Sequence, residues 1–114
     1  MQSTKRRMIV AITGASGSVY GVRLLELLRA RPDIELHLVM SKSAARTIAL
    51  ETGRTMKDVE ALAHVVHPVA DIGASIASGS FRSEGMVVAP CSIKTMSNIA
   101  WGNTGDLISR AAGV

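Results

Sequence analysis

Three short polar turns hold most of the side chains in this sequence that suit chemistry. The first, Gly14-Ala15-Ser16-Gly17, directly follows the apolar run Met8–Thr13 and precedes a stretch with helical spacing. Backbone N–H groups at the start of a helix carry partial positive charge and turn toward an anion. Gly14 and Gly17 permit a tight turn and close approach of a phosphate or a ring, and the Ser16 hydroxyl can donate to the same ligand. A glycine-rich turn with no ligand would use the same residues. The spacing excludes two common nucleotide loops. It is not G-x-G-x-x-G, and Met40-Ser41 stands where an acidic ribose ligand would end the second apolar run; nor is it G-x-x-x-x-G-K-[ST].

The second turn is Ser41-Lys42 and the third is Pro90-Cys91-Ser92-Ile93-Lys94-Thr95. Ser41 and Ser92 each also suit plain helix capping. Cys91 is the single cysteine, so an internal disulfide is excluded. No histidine stands at a motif-like spacing to activate its thiol, and it reads as a small buried residue. His37, His64 and His67 lack Cys or carboxylate partners at ligand spacing, so each reads as a lone exposed or half-buried side chain and no metal is expected. Arg82 suits a phosphate, a neighbouring subunit or plain solvation, and Trp101 suits an interface or a pocket wall.

The elements that must position these turns are legible from hydrophobic spacing. Met8–Thr13 is apolar on both faces, as in a parallel strand covered by helices. Val19–Ala30 carries Val19, Val22 and Leu25 inward, with Leu24 and Leu28 on the flank, and Pro32-Asp33 ends it. Glu35–Met40 is a second strand. Ser41–Thr52 is a second helix with Ala44, Ile48 and Ala49 inward, capped by Ser41 or Ser43 and stopped by Gly53. Thr55–Ala63 reads as a short helix capped by Thr55, and Asp71–Ala77 as another within an excursion from His64 to Ser83. Gly85–Ala89 is the third strand, Ile93–Ala100 a helix, and Leu107–Ala112 starts another. The order is that of an open, doubly wound α/β sheet in a single domain, residues 1–114. In such a sheet ligands sit outside the carboxyl ends of the strands, so all three turns converge on one rim. Three strands make a thin sheet, which implies assembly or a longer parent.

Composition narrows the field further. The 114 residues are 47% hydrophobic, which excludes a disordered tail. Tyr20, Phe81 and Trp101 are the only aromatics, too few for a platform that stacks single-stranded nucleic acid. Leu, Ile, Val, Ala and the methionines Met8, Met40, Met56, Met86 and Met96 must fill the core. The net charge of +4 comes mostly from Lys5-Arg6-Arg7, beside a nearly neutral body. No run of about 18 apolar residues is present, and the apolar run after the N-terminal charges is too short for a signal peptide. The chain reads as cytoplasmic, with no nucleic-acid or membrane partner.

Thr13-Gly14-Ala15-Ser16-Gly17, followed by Tyr20-Gly21-Val22-Arg23-Leu24-Leu25, resembles the opening of the flavin prenyltransferases, the UbiX-type proteins long called aromatic-acid or hydroxybenzoate decarboxylases. The resemblance continues through Val39-Met40-Ser41-Lys42, Ser78-Gly79-Ser80-Phe81-Arg82, Pro90–Thr95 and Asp106-Leu107-Ile108-Ser109-Arg110-Ala111-Ala112. The Ser78–Arg82 wording looks closest to the branch that accompanies phenolic-acid decarboxylases. The resemblance implies a flavodoxin-like, Rossmann-like homo-oligomer, typically a dodecamer, that binds FMN without a metal. The activity it implies joins a dimethylallyl group from dimethylallyl monophosphate to reduced FMN at N5 and C6, and the prenylated FMN serves a UbiD-type decarboxylase. Carried over by residue, it places Gly14, Ala15, Ser16, Ser41, Ser92, Ile93, Lys94 and Thr95 against FMN, with Ser16 near flavin N5 as a catalytic group for proton movement.

The departures from the family pattern also set expectations. Family members run to nearly twice this length. The remaining part would carry a Pro-Arg-Glu segment and the Tyr and basic residues that hold the prenyl phosphate. Gly113 stands where the family usually has Asp. The chain therefore reads as the N-terminal, FMN-side part of a longer domain, truncated relative to the family. The alternative activity is an FMN-binding remnant or subunit without turnover. The related flavin-dependent cysteine decarboxylases fit less well: they carry an Asn-containing Pro-Ala-Ser-Ala-Asn-Thr-like segment where Pro90–Thr95 stands, and a histidine on a first helix that has none here.

Overall fold

Strand β1 (Arg6–Ile12) and strand β2 (Ile34–Met40) form where the apolar runs predict them. They pair in parallel in unbroken register from Arg6 beside Ile34 to Ile12 beside Met40. The structure is a computed structural model and describes residues 5–71, 75–77, 83–102 and 107–112. A strand covered on both faces can carry apolar side chains in succession. Here Val10, Ala11, Ile12, Leu36, Leu38 and Val39 have no measurable exposure.

Helix α1 (Ser18–Arg29) returns the chain between them, with Arg29 in its last turn as the helix dipole favours. Gly21, Val22 and Leu25 face the sheet, whereas Val19 points outward. Helix α2 (Ala44–Thr52) starts later than the sequence suggests and buries Ala44 and Ile48 but not Ala49. Ser43 is its N-cap residue without a side-chain cap bond, so neither predicted serine caps it through its hydroxyl. Helix α3 (Met56–Glu60) begins with a reciprocal capping box between Thr55 and Asp58.

A fourth strand joins the expected three. β3 (Val65–His67) runs parallel to β2, with His37 beside Val65 and Val39 beside His67. Its three residues are too few to show an alternation. After a 3-10 turn at Ser75–Ala77, where a longer helix is predicted, comes β4 (Gly85–Val88), then α4 (Ile93–Ala100) and α5 (Leu107–Ala112). β4 pairs with β1, so the parallel sheet has the order β3-β2-β1-β4. The order reverses between β1 and β4, which places the ligand crevice of such a sheet above those two strands.

Two apolar cores fill the two faces. Leu25, Leu36, Leu38, Ile48 and Val59 centre the larger, under α1 and α2. Ile9, Val39, Ile76, Leu107 and Ile108 centre the smaller, under α5. Met40 is buried, and Met8, Met56 and Met86 pack at the core margins, but Met96 is 56% exposed and fills no core. The predicted motif Ser78–Arg82, Asp106, the side chain of Ser109 and Gly113 lie outside the described residues.

Candidate functional site

The first turn is held from above by one face of α2. Ser43, Thr47 and Glu51 recur every four residues, which places them on one side of a helix. Each meets the turn. A side-chain carbon at Gly14 would run into the Ser43 Cβ and Oγ, so the glycine admits the close approach of α2. The Thr47 hydroxyl donates to the Gly14 carbonyl at 2.7 Å. Glu51 accepts from the Ser16 hydroxyl at 2.8 Å, the Gly17 N–H at 3.1 Å, the Ser18 N–H at 2.8 Å and the Ser18 hydroxyl at 2.6 Å.

These contacts correct one expectation. The N–H groups at the start of α1 hold the protein's own carboxylate, not an open anion site. Gly17 is the N-cap residue, at φ 103 in the left-handed region, and it brings no side-chain cap. Glu51 supplies the missing cap from another helix. The hydrogen bonds from the Ser18 hydroxyl, then the Ser16 hydroxyl, then the backbone hold the Glu51 carboxyl down at about 2. At neutral pH it is an ionised acceptor that fixes the Ser16 hydroxyl.

The third turn is built on Thr13, which hydrophobic spacing assigns only to the first strand. Thr13 is buried at the end of β1. Its hydroxyl donates to the Pro90 carbonyl at 2.6 Å and accepts from the Ser92 N–H at 2.8 Å. The Ala89–Pro90 bond is cis. Ser92 caps α4 through its hydroxyl, which accepts from the Thr95 N–H at 3.1 Å and donates to the Thr95 hydroxyl at 3.0 Å. The Met96 N–H takes the Ser92 carbonyl at 2.9 Å. The other two first-turn amides, Ile93 and Lys94, have no partner within the helix, and both residues are exposed.

Ser41 sits between. Its N–H donates to the Ile12 carbonyl at 2.9 Å, and its hydroxyl lies 3.3 Å from that of Ser43. Ala15 is half-buried in the first turn. The structure thus joins Gly14, Ser16 and Ser41 to the start and face of α2, and Ser92 and Thr95 to Thr13, all at the carboxyl ends of β1, β2 and β4. Cys91 is half-buried, and burial raises its thiol pKa, as an unactivated cysteine would show. Thr13, Ser18, Thr47 and Glu51 are site residues that motif spacing does not pick out. The four-residue recurrence of Ser43, Thr47 and Glu51 is the signal that could have found two of them.

The histidines also differ from expectation. His37 and His67 are buried and in contact at 2.9 Å, with Glu35 2.7 Å from His37. His64 is exposed, but its Nδ1 accepts from the Leu36 N–H at 2.9 Å. No group of three or more metal-ligating side chains occurs among the described residues. Among those residues, no helix is long and apolar enough to cross a membrane.

A family model described as Flavoprotein matches residues 1–114. Flavin prenyltransferase UbiX of Escherichia coli K12 is 56% identical over 109 residues, covering 96% of this chain and 58% of that protein. The crystal structure of AnUbiX (PadA1) with FMN and dimethylallyl pyrophosphate matches with a TM-score of 0.91 at 50% identity, covering 95% of this chain and 57% of that one. A dodecameric FMN-dependent Ubix-like decarboxylase from Escherichia coli O157:H7 matches with a TM-score of 0.92 at 51% identity, covering 94% and 58%. The chain spans a little over half the length of the relatives it matches. On the fold, the sheet-end rim and these matches together, the chain belongs to the flavoprotein family, on its UbiX-type branch.

Proposed function

We propose that this chain forms the FMN-binding part of a flavin prenyltransferase. Its substrates are then reduced FMN and dimethylallyl monophosphate, and its product, prenylated FMN, goes to a UbiD-type aromatic-acid decarboxylase. The observation that carries the reading is the rim above the β1/β4 switch point, built from the residues that the family resemblance assigns to FMN.

The residues fit such a ligand in a divided way. The start of α1 already holds an anion, so the flavin phosphate belongs at α4. There the open Ile93 and Lys94 amides and the Lys94 ammonium supply positive charge. Ser92 and Thr95 fix that first turn through their paired hydroxyls. Gly14, Ala15, Ser16 and Ser41 form the opposite wall. When bound, reduced FMN supplies the nucleophilic ring atoms that accept the prenyl group. Ser16 is the catalytic residue of this reading: its hydroxyl proton points to Glu51, which leaves its lone pairs for a proton on the ligand. Glu51 positions that hydroxyl and, with its carboxyl held at about 2, does not itself accept the proton at neutral pH.

Assembly belongs to the same proposal. Tyr20 and Ile93, beside the rim, are 75% and 82% exposed, and Trp101, at the far end of α4, is 82% exposed. Large apolar side chains on view in this way suit a homo-oligomeric interface. The competing reading, FMN binding without turnover, is favoured by the scarcity of charge for a second phosphate. Among the described residues at the strand-end turns, the basic side chains are Lys42 and Lys94, and FMN takes Lys94. Incubation with reduced FMN and dimethylallyl monophosphate, followed by mass spectrometry of the flavin, separates the two. A flavin heavier by one C5H8 unit supports transfer; bound but unmodified flavin supports the second reading.

A further inference from the structure

The edge strand β3 is fastened to β2 by histidines at both of its ends. At its start, the Leu36 N–H donates to His64 Nδ1 at 2.9 Å, and the His64 N–H donates to the Leu36 carbonyl at 2.9 Å. At its end, His67 Nε2 lies 2.9 Å from His37 Nδ1, and the two rings stack at 12°. His37 Nε2 lies 2.7 Å from Glu35 Oε1.

Hydrogen-bond capacity fixes what these contacts tolerate. The Glu35 carboxylate is an acceptor only, so His37 Nε2 carries a hydrogen. In a neutral ring His37 Nδ1 is then bare, and His67 Nε2 donates to it. One added proton still fits: His37 then donates from both nitrogens, and His67 shifts its hydrogen to Nδ1. A second proton leaves two N–H groups facing each other with no acceptor between. At the other end a single proton on His64 Nδ1 sets it against the Leu36 N–H in the same way.

We infer that His64 and the His37–His67 pair form an acid-released latch on β3. At neutral pH it holds the strand against β2; excess protons detach it. The chain beyond His67 moves with the strand. Val69, two residues on, accepts from the Leu107 N–H at 3.1 Å and so anchors the start of α5. His67 also lines a cleft of about 460 Å³ with Ser41, Lys42 and Glu60, so its wall opens beside the rim.

The charges around the latch set its direction. Burial first, then Arg29 and Lys5, lower the His64 pKa from its ordinary value. Burial first, then His37, lower that of His67, against the pull of Asp71. Glu35, itself paired with Arg7 on β1 at 3.5 Å, faces His37. α5, over this face, carries Arg110, whose Nε is buried without a hydrogen-bond partner among the described residues. β4 and the Ser75–Ala77 turn present Met86, Val88 and Ile76 to this side. The folded His64 and His67 rings bind fewer protons than their unfolded counterparts, so their contribution to stability is full above the ordinary imidazole value and falls as pH drops below it.

Amide hydrogen exchange on the 114-residue chain tests the latch between about pH 7.5 and about pH 5.5, either side of the ordinary imidazole value. After correction for intrinsic exchange, opening at the Leu36 and His64 amides rises by up to about tenfold per pH unit for each excluded proton. The Ser41 amide, bonded to Ile12 on the other side of β2, stays protected. Leu36 and His64 amides that track Ser41 at both pH values overturn the latch. A His64→Asn/His67→Gln chain keeps amide groups at both contacts, does not titrate at either substituted position, and can turn the introduced glutamine oxygen toward a His37 N–H. Its exchange is flat across the range, and an acid response equal to that of the native chain also overturns the proposal. If that variant does not fold, the native comparison decides alone.

Discussion

The β1–α1–β2–α2 block and the β4–α4 block present opposite pictures of the same architecture. In the first, two seven-residue strands pair along their whole length and bury most of their side chains. In the second, a four-residue strand is half-buried, and Thr95 is the buried residue of its helix. The first block carries its own core. The second turns apolar side chains outward, at Ile93, Met96 and Trp101. The rim lies on the seam, with Glu51 bracing one wall and Thr13 tying down the other. Stability is thus drawn mainly from the first block, the rim takes one wall from each, and the second block leaves apolar side chains open to contact.

Core truncation tests that division most strongly. Leu25→Ala, in the first block, should cost about 2–5 kcal/mol in urea unfolding, because a fully buried leucine loses both transfer energy and packing. Met96→Ala, in the second, should fall within about 0.5 kcal/mol of the native chain. Equal losses would erase the contrast. Thr13→Val probes the seam. It removes both hydrogen bonds of a buried hydroxyl and leaves the Ser92 N–H without its partner, while the Pro90 carbonyl keeps the Thr13 N–H, at about 1–3 kcal/mol. FMN affinity should fall with it. Ser92→Ala removes a helix cap and should cost about 1 kcal/mol in the same assay.

The smallest effect lies in acid. The Glu51 carboxyl is lowered from its ordinary 4.5 to about 2, so the folded chain binds its proton less readily than the unfolded one. Its contribution is complete above the ordinary value and is lost as pH falls toward about 2. In a thermal-melt series, Glu51→Gln should flatten that part of the acid profile. An unchanged profile would mean that the carboxylate does not cap α1.

The first block is far more legible in the sequence than the second. Its apolar runs are long, so β1, β2 and α1 emerge within a residue or two, and the three turns fall at strand ends. Periodicity reports which residues are buried within one element; it is silent about contacts between elements. Glu51 therefore stays hidden although its helix is placed, and the start of α1 looks open to a ligand. Ser92 is legible because capping is local. β3 is concealed by its length, and the histidine pair by being 30 residues apart in the chain. Met96 satisfies the rule that methionines fill cores in its sequence and breaks it in the fold, because its helix belongs to the block that faces outward.

Whether this chain alone shapes an FMN rim is decided by an FMN titration of the 114-residue protein, followed by flavin fluorescence. Saturable binding near one FMN per chain is expected, weakened by Ser92→Ala and Thr13→Val. No binding by protein that unfolds cooperatively would contradict the rim.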